Sequence, residues 1–169
     1  MDIIKTLDEF YIEAEKSMRS FNDFANKYDL QGKTRADHIC YKCESKESFD
    51  FIRTLLESTS EYIYQSIISG RRIAYIKLKR GINTALGEIN FLELSDQKPD
   101  NSQKNGFDHV EVFPTSLTYH AMIAILEWSE SVIKVERPHH TTHDIKLDDG
   151  FIFRCTHGPL IEKIKTEML

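Results

Sequence analysis

The chain has 169 residues, with 22 Lys and Arg against 27 Asp and Glu, a net charge of −5. Its basic residues are scattered rather than gathered into a stripe, which argues against a nucleic-acid partner. A 40% hydrophobic and 29% charged composition is ordinary for a globular protein, and no apolar run reaches the ~20 residues needed to cross a bilayer. The expectation is a single domain over 1–169 with a sizeable core and no membrane partner. Met1-Asp2-Ile3-Ile4-Lys5 does not open like a signal peptide, and three cysteines make no disulfide framework, so the cytoplasm is the expected compartment.

Residues 1–33 form a lead-in. Ile3, Leu7, Phe10, Ala14, Met18, Phe21 and Ala25 recur at spacings of three and four and predict an amphipathic helix over 2–28, ending at Tyr28-Asp29-Leu30 with Gly32 as a stop signal. The stripe would cover the domain's own sheet. A first module, 34–96, opens with a strand over 36–43 and continues with a helix over about 46–58. Ser45 is its N-cap, a simple one because Ser48 is neither Glu nor Gln. Strands at about 61–68 and 71–79 flank a Ser69-Gly70 turn, and a last strand covers about 88–95.

A polar linker, 97–106, leads to a second module over 107–169. Its strand over 107–113 precedes a helix of about 116–130 and strands at about 132–137, 143–148 and 151–156. Asp148-Asp149-Gly150 makes the final hairpin turn, and a closing helix starts at Pro159.

The β-α-β-β-β order therefore occurs twice. Asp37-His38-Ile39 returns 71 residues later as Asp108-His109-Val110, and the same shift lays Phe51, Ile52 and Leu55 on Met122, Ile123 and Leu126. A long unit present only twice indicates internal duplication rather than a solenoid. Two histidines at equivalent points of two equivalent modules can converge on one metal. The predicted fold is α+β: two tandem βαβββ modules in a curved, cup-like mixed sheet, with an N-terminal amphipathic helix and a short C-terminal helix.

These phrases, with Phe91-Leu92-Glu93-Leu94, Glu111 and the stretch Asp149-Gly150 through His157, resemble the YecM family of predicted metalloenzymes. That family belongs to the vicinal oxygen chelate superfamily, with glyoxalase I, extradiol dioxygenases and methylmalonyl-CoA epimerase. The resemblance covers roughly residues 34–168. It implies one metal ligand from the first and one from the last strand of each module, hence His38, Glu93 and His109. The superfamily often has glutamate at the fourth place. Here Phe151-Ile152-Phe153-Arg154-Cys155-Thr156-His157 offers no carboxylate, and His157 is the candidate because it shares strand parity with Phe153 and Cys155.

Imidazoles with a carboxylate suit one divalent Zn, Fe, Mn, Co or Ni rather than Ca²⁺ or Mg²⁺. A lone histidine is more often a core residue with satisfied hydrogen bonds; the matched pair shifts that balance toward ligation. Glu93 stands between apolar neighbours, which disfavours a merely exposed carboxylate.

Glu111, two residues after His109 on the same strand face, is a candidate base or a partner of a metal ligand, with an ordinary ion pair as the plain alternative. Arg71, with Arg72, is a candidate clamp for an anionic substrate, with solvated charge equally compatible. Cys40 and Cys43 imitate a CxxC pair, yet three residues of strand send them to opposite faces. Pro138-His139-His140-Thr141-Thr142-His143 reads as a surface loop, from which His143 or Asp144 can reach the pocket.

Two function classes follow. One is a metal-dependent isomerase, lyase or dioxygenase acting on a small oxygen-bearing molecule. The other is a non-catalytic binder of a small molecule or metal on the same scaffold. Monomer and homodimer both fit the sequence.

Overall fold

The computed structural model describes residues 4–137 and 140–160. Helix α1, Leu7–Lys27, starts later than its periodicity implies because the Thr6 hydroxyl accepts the Glu9 N–H and caps it. It ends before Gly32. Asp29 takes the left-handed conformation (φ 52°), Leu30 N–H donates to Ala25 and Asp29 N–H to Asn26, which closes the last carbonyls in a Schellman motif. The stop is an aspartate and not the glycine. The buried stripe of Phe10, Ala14, Met18, Phe21 and Ala25 is wider than its periodicity implies, since Tyr11 and Phe24 join it.

Module one comprises β1 Thr34–Lys42, α2 Lys46–Glu57, β2 Ser60–Ile68, β3 Arg71–Thr84 and β4 Gly87–Ser95. Module two comprises β5 Gly106–Pro114, α3 Tyr119–Glu127, β6 Ile133–Glu136, β7 Thr141–Lys146 and β8 Ile152–Cys155. Ser45 caps α2 through a reciprocal box. Its hydroxyl accepts from Ser48 N–H while the Ser48 hydroxyl accepts from Ser45 N–H, so serine does what Glu or Gln usually does. The Ser69-Gly70 turn has positive φ at both residues, 53° and 77°, as a two-residue hairpin requires. Strand β3 runs five residues beyond its expected end, pairing again with β4 through Ile82, Asn83 and Thr84 after a register shift. The closing helix expected from Pro159 lies outside the described residues apart from its first position, Leu160.

The strands form one mixed sheet in the order β2-β3-β4-β1-β5-β8-β7-β6. Its two halves mirror each other. The first strand of each module pairs in parallel with the last, β1 with β4 and β5 with β8, and the two first strands meet antiparallel at the centre. Duplication thus places the repeated phrase on adjacent central strands.

All three helices pack on one face. Phe153 of β8 sits 5.3 Å from Phe21 and 4.8 Å from Phe24, ring centre to ring centre, while Phe10 meets Phe107 of β5 at 5.3 Å. Tyr11 donates its hydroxyl to the Arg80 carbonyl, so α1 ties both modules across the helix-covered side. The other face is left to form the cup.

Candidate metal centre

The centre grows from an irregularity in the β1–β5 ladder. Ala36 pairs with Val112 and His38 with Glu111, so Asp37 is an extra residue on β1. Cys40 pairs with His109 and Tyr41 with Phe107, so Asp108 is the matching extra residue on β5. A regular strand sends consecutive side chains to opposite faces; a bulge breaks the alternation and re-aims them. Its effect shows in the core, where Ala36 and Ile39, three residues apart, both join the helix-side cluster. Each bulged aspartate holds the histidine that follows it: Asp37 Oδ2 lies 2.7 Å from His38 Nδ1, and Asp108 Oδ2 lies 2.7 Å from His109 Nδ1. A carboxylate only accepts, so each Nδ1 carries a proton, and whenever the ring is neutral the lone pair of Nε2 faces the cup.

Around those nitrogens the sheet gathers two carboxylates. Glu93, on β4, places Oε2 3.2 Å from His38 Nε2, and Glu111, on β5, places Oε2 3.1 Å from the same atom and 3.9 Å from His109 Nε2. One ligand atom from each of His38, Glu93, His109 and Glu111 lies within 4.8 Å of the others. Tetrahedral ligands about 2.0–2.2 Å from a zinc ion stand about 3.4 Å apart, so a modest contraction would close the set. Glu111 Oε1 is buried with no hydrogen-bond partner among the described residues, its ion-pair neighbour being His140 Nε2 at 3.8 Å. Buried polar atoms are nearly always satisfied, and a cation held between the imidazoles and carboxylates would satisfy it. Two imidazoles and two carboxylates fit a divalent transition metal.

The two histidines are electrostatically unlike. Burial opposes charge on His38, but the Glu111 carboxylate and contacts to Asp37, Glu111 and Glu93 outweigh it and hold its pKa well above the ordinary value. For His109, burial and the neighbouring Arg154 guanidinium keep the pKa below the ordinary value. Burial alone would raise the acid groups, yet His38 draws Glu93 down to about 2 and also lowers Glu111. Without a metal, a charged His38 therefore balances the carboxylates.

The structure brings His38, Glu93 and His109 together and adds Glu111 as a fourth group. His157 goes elsewhere. Phe153 and Cys155 belong to the helix-side core, and His157 shares their side, its ring 3.7 Å from that of Tyr119. Parity with those residues leads away from the cup.

Arg71 is held at the end of the sheet, donating to the Asp96 carbonyl at 3.2 Å and Gln103 Oε1 at 2.6 Å, while Arg72 pairs with Asp96 and Asp50. Cys40 lies near Glu93 and Ser95 whereas Cys43 joins the core, on opposite faces as the spacing predicts. His143 contacts the Tyr119 hydroxyl at 2.6 Å on the helix side, and Pro138 and His139 lie outside the described residues. Asp144 does line the cup.

One residue escapes sequence reasoning altogether. Cys40 is level with Glu93 across β1 and β4, and Glu111, 71 residues after Cys40, is level with Arg154 across β5 and β8. Arg154 is thus the counterpart of Glu93. Aligning Phe91-Leu92-Glu93 with Ile152-Phe153-Arg154 would have revealed the exchange. Arg154 is 12% exposed; its Nε and Nη2 engage Asp144 at 3.0 and 3.1 Å, and Nη1 lies 3.0 Å from His109 Nε2.

The fold is a two-module sheet with a histidine of the candidate centre on each of its two central strands. The chain belongs to the YecM family, whose model, described as YecM protein, matches residues 3–149. A solved structure titled "Structural Genomics, Protein EC4020" shares the fold with a TM-score of 0.74 at 19% identity, covering 95% of this chain and 92% of that one. Looser similarity extends to a methylmalonyl-CoA epimerase from Streptomyces coelicolor, with TM-score 0.46, 16% identity and coverage of 75% and 99%. It also extends to a 2,2',3-trihydroxybiphenyl 1,2-dioxygenase from Sphingomonas wittichii, with TM-score 0.49, 11% identity and coverage of 75% and 41%. None of the curated proteins matches the chain in sequence.

Proposed function

We propose that the protein binds one divalent transition metal, Zn, Fe, Mn, Co or Ni, through His38, Glu93, His109 and Glu111, and acts with it on a small oxygen-bearing molecule. The observation that carries this reading is the convergence of one ligand atom from each of His38, Glu93, His109 and Glu111 within 4.8 Å, beside two histidines held at Nδ1 by aspartates. A bound ion of this kind supplies Lewis acidity toward a ligand oxygen. Asp37 and Asp108 fix the tautomer and orientation of the two rings. Glu93 and Glu111 offset the positive charge. Isomerase, lyase and dioxygenase chemistry all fit such a centre.

A second reading, a non-catalytic binder, draws support from the apolar group of Ile73, Tyr75, Tyr64 and Phe91, which packs apart from the main core. The buried carboxylates Glu93 and Glu111, both held well below the ordinary range by His38, favour the enzyme. The test is metal stoichiometry and affinity of the purified protein, by elemental analysis and calorimetry. Retained stoichiometric metal in a folded His38→Ala, His109→Ala double variant would reject the assignment. A centre that an added chelator cannot empty would point to a structural metal instead.

A further inference from the structure

Arg154 replaces, at the symmetric place, the carboxylate that Glu93 supplies in module one. Two of its three nitrogens are committed to Asp144. The third, Nη1, points at Nε2 of His109 from 3.0 Å. One lone pair cannot serve both a guanidinium N–H and a metal ion, so a metal on His109 leaves that Nη1 N–H without its acceptor. A buried N–H of a cation demands another acceptor on the sheet face that carries the centre, where Glu111, level with Arg154, would itself be engaged by the ion.

A second observation sets the sign of charge. Arg137 also approaches Asp144, at 3.9 Å, and donates to the Thr142 hydroxyl. The two guanidiniums share the Asp144 carboxylate, and the other carboxylates that act on them, Glu93 and Glu111, would themselves be ligands of a bound ion. Across the cup, Tyr75 and Phe91 line the module-one side and add no charge.

We infer that Arg154, backed by Arg137, is a specificity-determining residue that takes the carboxylate of a small anionic ligand beside the metal centre. The inference rests on the metal-binding reading above. Nη1 replaces its bond to His109 with a charge-assisted bond to a carboxylate oxygen, so the ligand is a small carboxylic acid and not a neutral carbonyl or diol.

The test uses Co²⁺-loaded protein with glycolate and inorganic phosphate as probes, followed by calorimetry and by the visible spectrum of the bound cobalt. Glycolate should perturb the wild-type spectrum, and Arg154→Met should weaken glycolate about tenfold or more while Co²⁺ stoichiometry stays the same. Should Arg154→Met fail to fold, Arg154→Lys takes its place. It keeps a charge for Asp144 but lacks the fork that reaches both sides, and it should show the same loss. Unchanged glycolate affinity in a variant that binds Co²⁺ normally overturns this inference alone. Phosphate binding that is tighter than glycolate and equally dependent on Arg154 overturns the carboxylate assignment. Failure of the wild type to bind Co²⁺ overturns the metal-centre reading and this inference with it.

Discussion

Nε2 of His38 lies 3.1 Å from Oε2 of Glu111, a contact that crosses from the first strand of one module to the first strand of the other. The centre is therefore shared between modules and cannot be assembled by either alone. Glu111→Gln should weaken metal binding strongly while leaving the fold intact by circular dichroism, because a carboxamide removes the negative charge but keeps the volume. His157→Ala and Cys43→Ala should leave metal stoichiometry unchanged. Metal lost with His157→Ala and kept with Glu111→Gln would reverse the proposed ligand set.

Asp37 and Asp108 should matter nearly as much as the residues they orient. Asp37→Asn and Asp108→Asn are each expected to reduce metal affinity about 10–100-fold, the usual scale for partners of metal-bound histidine. Asp37 Oδ2 also accepts the Leu160 N–H at 3.1 Å, whereas Asp108 pairs with Lys42 at 3.2 Å. Limited proteolysis near Leu160 should accordingly respond to Asp37→Asn and not to Asp108→Asn.

The metal-free protein should lose stability as pH rises above neutrality. The folded-state pKa of His38 is raised, so its contribution is complete below the unfolded value near ~6.5 and disappears as pH climbs through the folded value. Glu93 acts in the opposite sense: lowered to about 2, it stabilises above its unfolded value and loses that effect as pH falls toward the folded one. A metal needs His38 neutral and releases its proton on binding. Added Zn²⁺ should thus raise the thermal midpoint more at about pH 8 than at about pH 6, as read by scanning calorimetry. An equal or reversed increment would contradict a charged His38 in the metal-free state.

Phe153 is fully buried between Phe21 and Phe24 and joins α1 to the sheet behind the centre. Phe153→Ala should cost about 3–5 kcal/mol of unfolding free energy in a denaturant titration. Arg154, next along the strand, faces the cup, so a folded variant should keep its metal with little change in affinity.

Much of the architecture was legible in the chain because it is written in neighbouring residues. The 71-residue return of Asp-His with its helix pattern pointed to the two modules, and the alternation of one strand placed His109 and Glu111 on a shared face. The Ser69-Gly70 hairpin and the Ser45 cap were local in the same sense, as both depend on backbone angles and hydroxyls within a few residues. Tertiary structure alone decided what depended on register between distant strands. The bulges at Asp37 and Asp108 exist only in the pairing of β1 with β5, and they turn each aspartate onto its own histidine. Which side of β8 meets the cup is set by its alignment with β5 and by Phe153 seeking α1; that choice sends His157 to Tyr119 and brings Arg154 to His109. Parity along one strand says which residues share a face, but burial against a remote helix says which face that is.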